Sequence, residues 1–317
     1  MNRRTTPIEW LVFLALGAAW GSSYLFIKIG VETLTPFTLV AGRLAIGAGV
    51  LAIVMRIARE PLPRQRGPYG HMLIVALLGI VIPFSLITWG EQTIDSGLAA
   101  VLNGTVPLFA IVLAALVLPD EPITLNRLGG LLVGFAGVIL LTAPALTDGF
   151  GGGLPGQLAL LGASVSYGAA GVYARRTVRG MPALTSAFLE VGLAFVITLG
   201  LAAAFGSPWA TGVDGGTIVS VAWLGLIGSG LAFLAFFYLL DRWGATRTAL
   251  VAYLLPVVGI ILGVVVLGEI VSRSMLAGTA LVIGGIALAN SRYGHRRLVG
   301  RRPPEPMEVP AEIPARD

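Results

Sequence analysis

Two charges stand where an apolar chain tolerates them least. Arg43 lies in the run Val40-Ala41-Gly42-Arg43-Leu44-Ala45-Ile46, seven residues past Pro36, and Glu190 lies in Ser186-Ala187-Phe188-Leu189-Glu190-Val191, 147 residues later. A charged side chain at mid-membrane costs roughly 2.5 to 3.5 kcal/mol on insertion scales, so such residues are functional candidates. A guanidinium can grip a carboxylate through two parallel hydrogen bonds. A buried carboxyl can hold an amino group or serve as a proton-coupling site. The two could also pair with each other, although entering from opposite sides would set them about 10 Å apart in depth. The bland reading is that polar neighbours satisfy both and they only hold helices together.

Aromatic and small polar residues recur at helical spacing in the same segments. Trp20, Ser23 and Tyr24 share one face, as do Ser85 and Trp89; Asn103 precedes Pro107, and Ser164 stands one turn from Tyr167. Such faces suit a partly wet cavity that stacks the apolar part of a substrate and bonds its polar ends. Packing and interfacial belts are the alternative, and Trp10, Trp209 and Trp243, near segment ends, fit a belt better. Pro107 and Pro256 each delete a backbone hydrogen bond in mid-segment, marking hinge positions at matching places. Glu121 and Glu269 sit in short turns, where a carboxylate suits the N-terminus of the helix that follows.

Other chemistries are excluded. With no cysteine and only His71 and His295, the chain offers no thiolate site and no cluster for a metal. Gly151, Gly153 and Gly156 spell a nucleotide-type glycine motif, but no strand precedes it and Pro155 interrupts it. No cofactor is expected, and nothing resembles a P-loop.

The elements that carry these residues follow from composition. Of 317 residues, 56% are hydrophobic and only 12% charged, with a mean hydropathy of +0.88, which fits an all-α integral membrane protein and not a soluble one. Ten apolar runs approach the ~20 residues needed to cross a bilayer: 10–30, 36–55, 72–90, 97–118, 128–143, 156–174, 184–204, 220–240, 247–268 and 275–291. Alternating the connections places 18 of the 21 basic residues on one side, including Arg3, Arg4, Arg66, Arg127, Arg175, Arg179 and Arg242, against Lys28 and Arg273 on the other. That asymmetry puts both termini in the cytoplasm and accounts for the pI near 10 without nucleic acid. The apolar stretch after Arg4 is too long for a secretory signal and reads as the first span.

Self-comparison shows a weak repeat. Pro107 matches Pro256, Glu121 matches Glu269, Gly130 matches Gly278 and Gly137 matches Gly285. Five spans per unit is odd, so two such units face opposite ways in the membrane, the arrangement behind alternating access. The expected organisation is 1–146, 147–292 and a disordered basic, Pro-rich cytoplasmic tail, 293–317. Paired glycines such as Gly17 with Gly21, Gly130 with Gly134 and Gly259 with Gly263 suit close packing inside the bundle.

Trp20-Gly21-Ser22-Ser23, the stretch from Pro36 to Arg43, Pro107 with Leu118-Pro119-Asp120-Glu121, and Pro256 with Leu267-Gly268-Glu269 resemble the doubled EamA domain of the drug/metabolite transporter superfamily. The resemblance covers about residues 8 to 292; Pro119 stands where the first unit usually has Gly. It implies ten transmembrane helices as two inverted-topology five-helix repeats around a central cavity. The implied activity is export of amino acids or other small metabolites or drugs, usually from the bacterial inner membrane.

The expected partners are a small-molecule substrate and the lipid bilayer, with proton coupling through Glu190 as one option and a monomer or weak homodimer as the assembly. A lipid-linked carrier flippase, which the superfamily also contains, and an intramembrane enzyme are the competing classes. The second lacks any His/Asp/Glu cluster inside a span.

Overall fold

The computed structural model describes residues 5–65, 67–118, 121, 123–147, 153–178, 180–206, 212–291 and 297–299. Arg3, Arg4, Arg66, Pro119, Asp120, Gly151, Arg179, Trp209, His295 and all of the tail except Arg297–Val299 lie outside them.

The chain is built from helices: α1 Pro7–Gly30, α2 Pro36–Ala58, α3 Gly67–Gly90, α4 Ser96–Val117, α5 Leu125–Thr147, α6 Leu154–Thr177, α7 Ala183–Phe205, α8 Gly215–Gly244, α9 Leu250–Leu267 and α10 Arg273–Ala289. Among the described residues, eight helices are long and apolar enough to cross a membrane, and α10 is a shorter apolar helix. The 24-residue α6 is long enough but is not among those eight. It carries Gln157, Ser164, Ser166 and Tyr167, all buried or half-buried, and packs against α3 and α4.

Local chemistry sets the boundaries. Thr6 and Glu9 form a reciprocal capping box at the start of α1, with Pro7 as its first residue. Pro36 opens α2, Asp214 caps α8 through the amide of Thr217, and Ser272 caps α10 through that of Met275. Among the described residues, one pairing of strands joins Ile123–Thr124 (β1) to Arg297–Val299 (β2), antiparallel.

Packing interleaves the first five helices with the last five. α1 lies against α8 and α9, while α6 lies against α3 and α4; α2 crosses both α7 and α8, and α7 crosses both α2 and α3. α5 and α10 close the arrangement through glycines. A Cβ on Gly130 would strike the backbone at Gly285 and Ala289, and one on Gly137 would lie 2.7 Å from Gly278 O. These contacts run in opposite sequence directions, so α5 and α10 are antiparallel. Gly17 and Gly21 meet Leu254 and Val258, and Gly259 meets Ala100, all inside the chain.

Two helices widen at corresponding places. α3 carries a π turn at Leu77–Val81 and α8 one at Leu226–Leu231. Their starts are 149 residues apart, the separation of Pro107 from Pro256. In α3 the cause is Pro83, whose ring would clash with the carbonyl four residues back, at Gly79. In α8, Gly228-Ser229-Gly230 supplies the flexible backbone instead.

Candidate substrate site

The π turns position both intramembrane charges. Arg43 on α2 is 3% exposed; its Nε donates to Ser229 Oγ in the π turn of α8 at 3.2 Å. Its guanidinium carbon lies 4.1 Å from the centre of the Phe84 ring on α3, a cation–π contact. The remaining guanidinium donors find no acceptor among the described residues. Gly228 makes room for this head group, since a Cβ there would lie 3.4 Å from Arg43 Nη2 and 2.9 Å from Ser23 Oγ.

Glu190 mirrors the arrangement. It reaches from α7 to the π turn of α3, where a Cβ on Gly79 would lie 2.6 Å from its Oε1. The carboxylate makes no hydrogen bond or ion pair with a described residue, yet it retains some accessible surface. Arg43 and Glu190 do not pair. Tyr167 on α6 stands within electrostatic reach of both, and Arg43 also lies in the fields of Tyr24 and Glu91.

The neighbouring polar residues are half satisfied. Asn103 Nδ2 donates to Tyr24 Oη at 2.6 Å, tying α4 to α1, while Asn103 Oδ1 has no partner. Ser85 Oγ is buried without a partner as well. By contrast Ser23 Oγ is spent on Ala19 O, Ser164 Oγ on Leu102 O and Leu160 O, and Ser166 Oγ on Leu78 O inside the α3 π turn. Side-chain donors thus cover carbonyls where α3 and α4 depart from α-helical bonding.

Of the sequence candidates, the fold gathers Ser23, Tyr24, Arg43 and Asn103, each under a tenth exposed, with Tyr167 and Glu190 beside them. Trp20 packs on Phe233 and Phe236 of α8, ring centres 6.3 and 5.4 Å away. Trp89 is 48% exposed at the end of α3 and stands apart. Pro107 follows the break at Gly104–Thr105 in α4, and Pro256 follows the 3₁₀ turn at Ala249–Tyr253 with which α9 opens. Trp243 Nε1 donates to the buried Glu9 at 3.0 Å, and its ring packs on Trp10 at 5.0 Å.

Three groups escaped the sequence reading. Ser229 and Phe84, which seat Arg43, look like ordinary span residues. Glu91, just past α3, is wholly buried with both carboxylate oxygens unpartnered. Glu269 also differs from expectation: it does not cap α10 but accepts from Ser96 N at 2.7 Å and Gly97 N at 2.9 Å, capping α4 from far along the chain. Glu121 pairs with Arg127 at 2.6 Å and with Arg175. A crevice of about 200 Å³ opens between α7 and α8 beside Ala187, one turn from Glu190. Among the described residues no three His, Asp or Glu side chains could hold a metal ion.

Comparison with known proteins gives this arrangement a family. The profile of the EamA-like transporter family matches residues 8–143 and again residues 154–291. An uncharacterized inner membrane transporter of Escherichia coli K12, YedA, is 30% identical over 297 residues, covering 90% of this chain and 91% of its own. An uncharacterized transporter of Archaeoglobus fulgidus is 27% identical, covering 88% and 97%. A crystal structure with 24% identity superposes with a TM-score of 0.64, covering 90% of this chain and 97% of that one, and shares the fold.

Proposed function

Because the chain belongs to the EamA-like transporter family, and is therefore a multi-pass membrane transporter and not an enzyme, we propose that it is a secondary transporter exporting amino acids or other small metabolites or drugs by alternating access. The observation that carries this reading is the crossed seating of Arg43 and Glu190. Each charge rests on the π turn of a helix from the other copy of the family domain, and neither is neutralised by a partner. Substrate groups of opposite sign then complete the site: a carboxylate or other anion on Arg43, an amino group or a proton on Glu190. Tyr167, within electrostatic reach of both, and the Tyr24–Asn103 pair supply the neutral contacts.

Ten spans in two inverted units fit this reading. α6 and α10 add to the eight apolar spans, and the antiparallel contact of α5 with α10, equivalent helices of the two copies, is what inversion requires. The termini then face the cytoplasm of a bacterial cell, Pro107 and Pro256 act as hinges, and the working unit is a monomer or weak homodimer. Gly104–Thr105 and Ala249–Tyr253, just before those prolines, are where helices bend most easily.

The test is uptake into proteoliposomes, screening amino acids and amphipathic drugs with and without a pH gradient. Uptake of some member is expected, and Trp20→Ala, Arg43→Ala and Glu190→Gln together should abolish it. Undiminished uptake by that triple variant would remove the site. Scrambling of labelled lipid without uptake of any solute would replace the exporter with a flippase.

A further inference from the structure

One end of the molecule holds a carboxyl that the substrate site does not use. Glu91 follows the last turn of α3 and is 0% exposed, and neither Oε1 nor Oε2 has a hydrogen-bond partner. Lys28 on α1 is close but does not bond it; its Nζ donates at 2.8 Å to the main-chain carbonyls of Glu91 and of Ile94. Over the same connection Glu269 reaches in from the turn between α9 and α10 and takes the amides of Ser96 and Gly97. Asp95 occupies the N-cap position of α4, yet its side chain makes no cap bond. The first amides of α4 are therefore capped by a remote carboxylate, while the local one at the N-cap position is left unused.

We propose that this connection is a gate and Glu91 its proton-binding site: the sealed arrangement, with Glu269 on the amides of Ser96 and Gly97, takes up one proton at Glu91, and opening releases it. A wholly buried carboxyl with no hydrogen bond from a described protein group is costly to hold as an anion, so in the sealed state it is the neutral acid. When Glu269 withdraws and Asp95 replaces it on α4, water reaches Glu91 and the anion becomes tolerable. The charged and titratable groups within electrostatic reach of it are Lys28 and Tyr24 of α1, Arg43 of α2 and Glu269, while Asp95 of its own connection is coupled to Lys28 and Glu269.

Burial, the largest influence, and Glu269 push the Glu91 carboxyl well above the usual carboxylate range, against the pull of Lys28 and Arg43. The sealed state binds the proton more tightly than the open one, so sealing is favoured at low pH and lost as pH rises through the raised value. Within the transporter reading, Glu91 is a coupling site beside Glu190, linked to it through the fields of Arg43 and Tyr167.

The gate can be tested without any substrate, so the outcome does not depend on whether a transported solute is found. The chain has no cysteine, and Ser96 is 0% exposed with an unpartnered hydroxyl, so Ser96→Cys places a single thiol under the seal at little structural cost. The full-length protein in detergent is labelled with a sulfonated maleimide between about pH 5 and 9, with Glu91→Gln in the same background reporting the thiol's own titration.

Labelling of the Ser96→Cys protein relative to the Glu91→Gln double variant should climb about tenfold per pH unit through the opening transition and then level off. A ratio that stays constant across the range would overturn the proposal. Glu91→Met, an apolar side chain of similar length, also fixes an uncharged group at this position and should give the same climb when it serves as the reference. A constant ratio against it would equally reject Glu91, and this variant decides the matter if Glu91→Gln does not fold.

Discussion

Arg43 donates from Nε to the hydroxyl of Ser229 at 3.2 Å, so a cation of α2 is fixed by a π turn of α8, 186 residues along the chain. The bond fixes the guanidinium plane, since Nε can be satisfied only from one direction. The other donors are then presented with a defined orientation above Phe84.

Arg43→Lys should therefore keep the charge and lose the site. Lysine cannot give both a side donor to Ser229 and a fork to an anion. Losing a hydrogen bond to a charged group is worth about 1.5 to 3 kcal/mol, or roughly tenfold to a hundredfold in affinity. Transport KM should rise by that order while the protein still purifies as a folded species. An unchanged KM in Arg43→Lys would show that the fork does not touch substrate.

Gly79 and Gly228 are the seats of the two charges, and filling them should act on transport more than on folding. A Cβ at residue 79 would lie 2.6 Å from Glu190 Oε1, and one at 228 would lie 2.9 Å from Ser23 Oγ and 3.4 Å from Arg43 Nη2. The colliding atoms are ends of side chains that can swing aside, so Gly79→Ala should fold but misplace the carboxyl. It should depress uptake more than Gly228→Ala, and shortening the acid with Glu190→Asp in the Gly79→Ala background should recover part of the loss. Wild-type uptake by Gly79→Ala would separate Glu190 from the transport path.

Arg43 and Glu190 were legible in the sequence because a charge in an apolar run is conspicuous, and the doubled motifs carried the family. The π turns were not. Inserting one residue into a helical turn changes no composition, and only Gly79 four residues before Pro83 hinted at the first. Glu91 was hidden by its place at a span end, where a charge reads as a loop residue. Glu269 was assigned to the helix it precedes because capping is local in most proteins, whereas its partners, Ser96 and Gly97, are contacts of the fold. α6 read as one more span by length, and although Ser164 and Tyr167 marked a face for a cavity, nothing in the pattern showed that α3 and α4 would be the helices packed against it.

The antiparallel seam of α5 and α10 depends on backbone proximity that no side chain can share. A Cβ at residue 137 would lie 2.7 Å from Gly278 O and 2.8 Å from Val282 N, main-chain atoms that cannot swing away. Gly137→Ala should force the helices apart and destabilise the protein by about 1 to 3 kcal/mol. Gly284, on the same α10, has nothing within 4 Å of such a Cβ. Gly284→Ala should be neutral or stabilising by up to ~1 kcal/mol through helix propensity. Thermal unfolding in detergent checks the pair, and equal melting of the two variants would contradict the seam.

Glu121 ties the α4–α5 turn to α6 by accepting from Arg127 at 2.6 Å and from Arg175. Burial alone would raise its carboxyl, but the hydrogen bonds from Arg175 and Arg127 outweigh burial and hold it below the usual carboxylate range. A depressed carboxyl contributes stability that is complete above the ordinary glutamate value, about pH 4, and disappears as pH falls through the depressed one. Amides of residues 126–130 and 172–178 should accordingly exchange faster at about pH 3 than at pH 6, after correction for intrinsic rates, and Glu121→Gln should show the faster exchange already at pH 6. Because Glu121 stands where Glu269 stands in the other copy of the domain, the variant should leave exchange at Ser96 and Gly97 untouched. Faster exchange there would mean that the two turns communicate through the bundle.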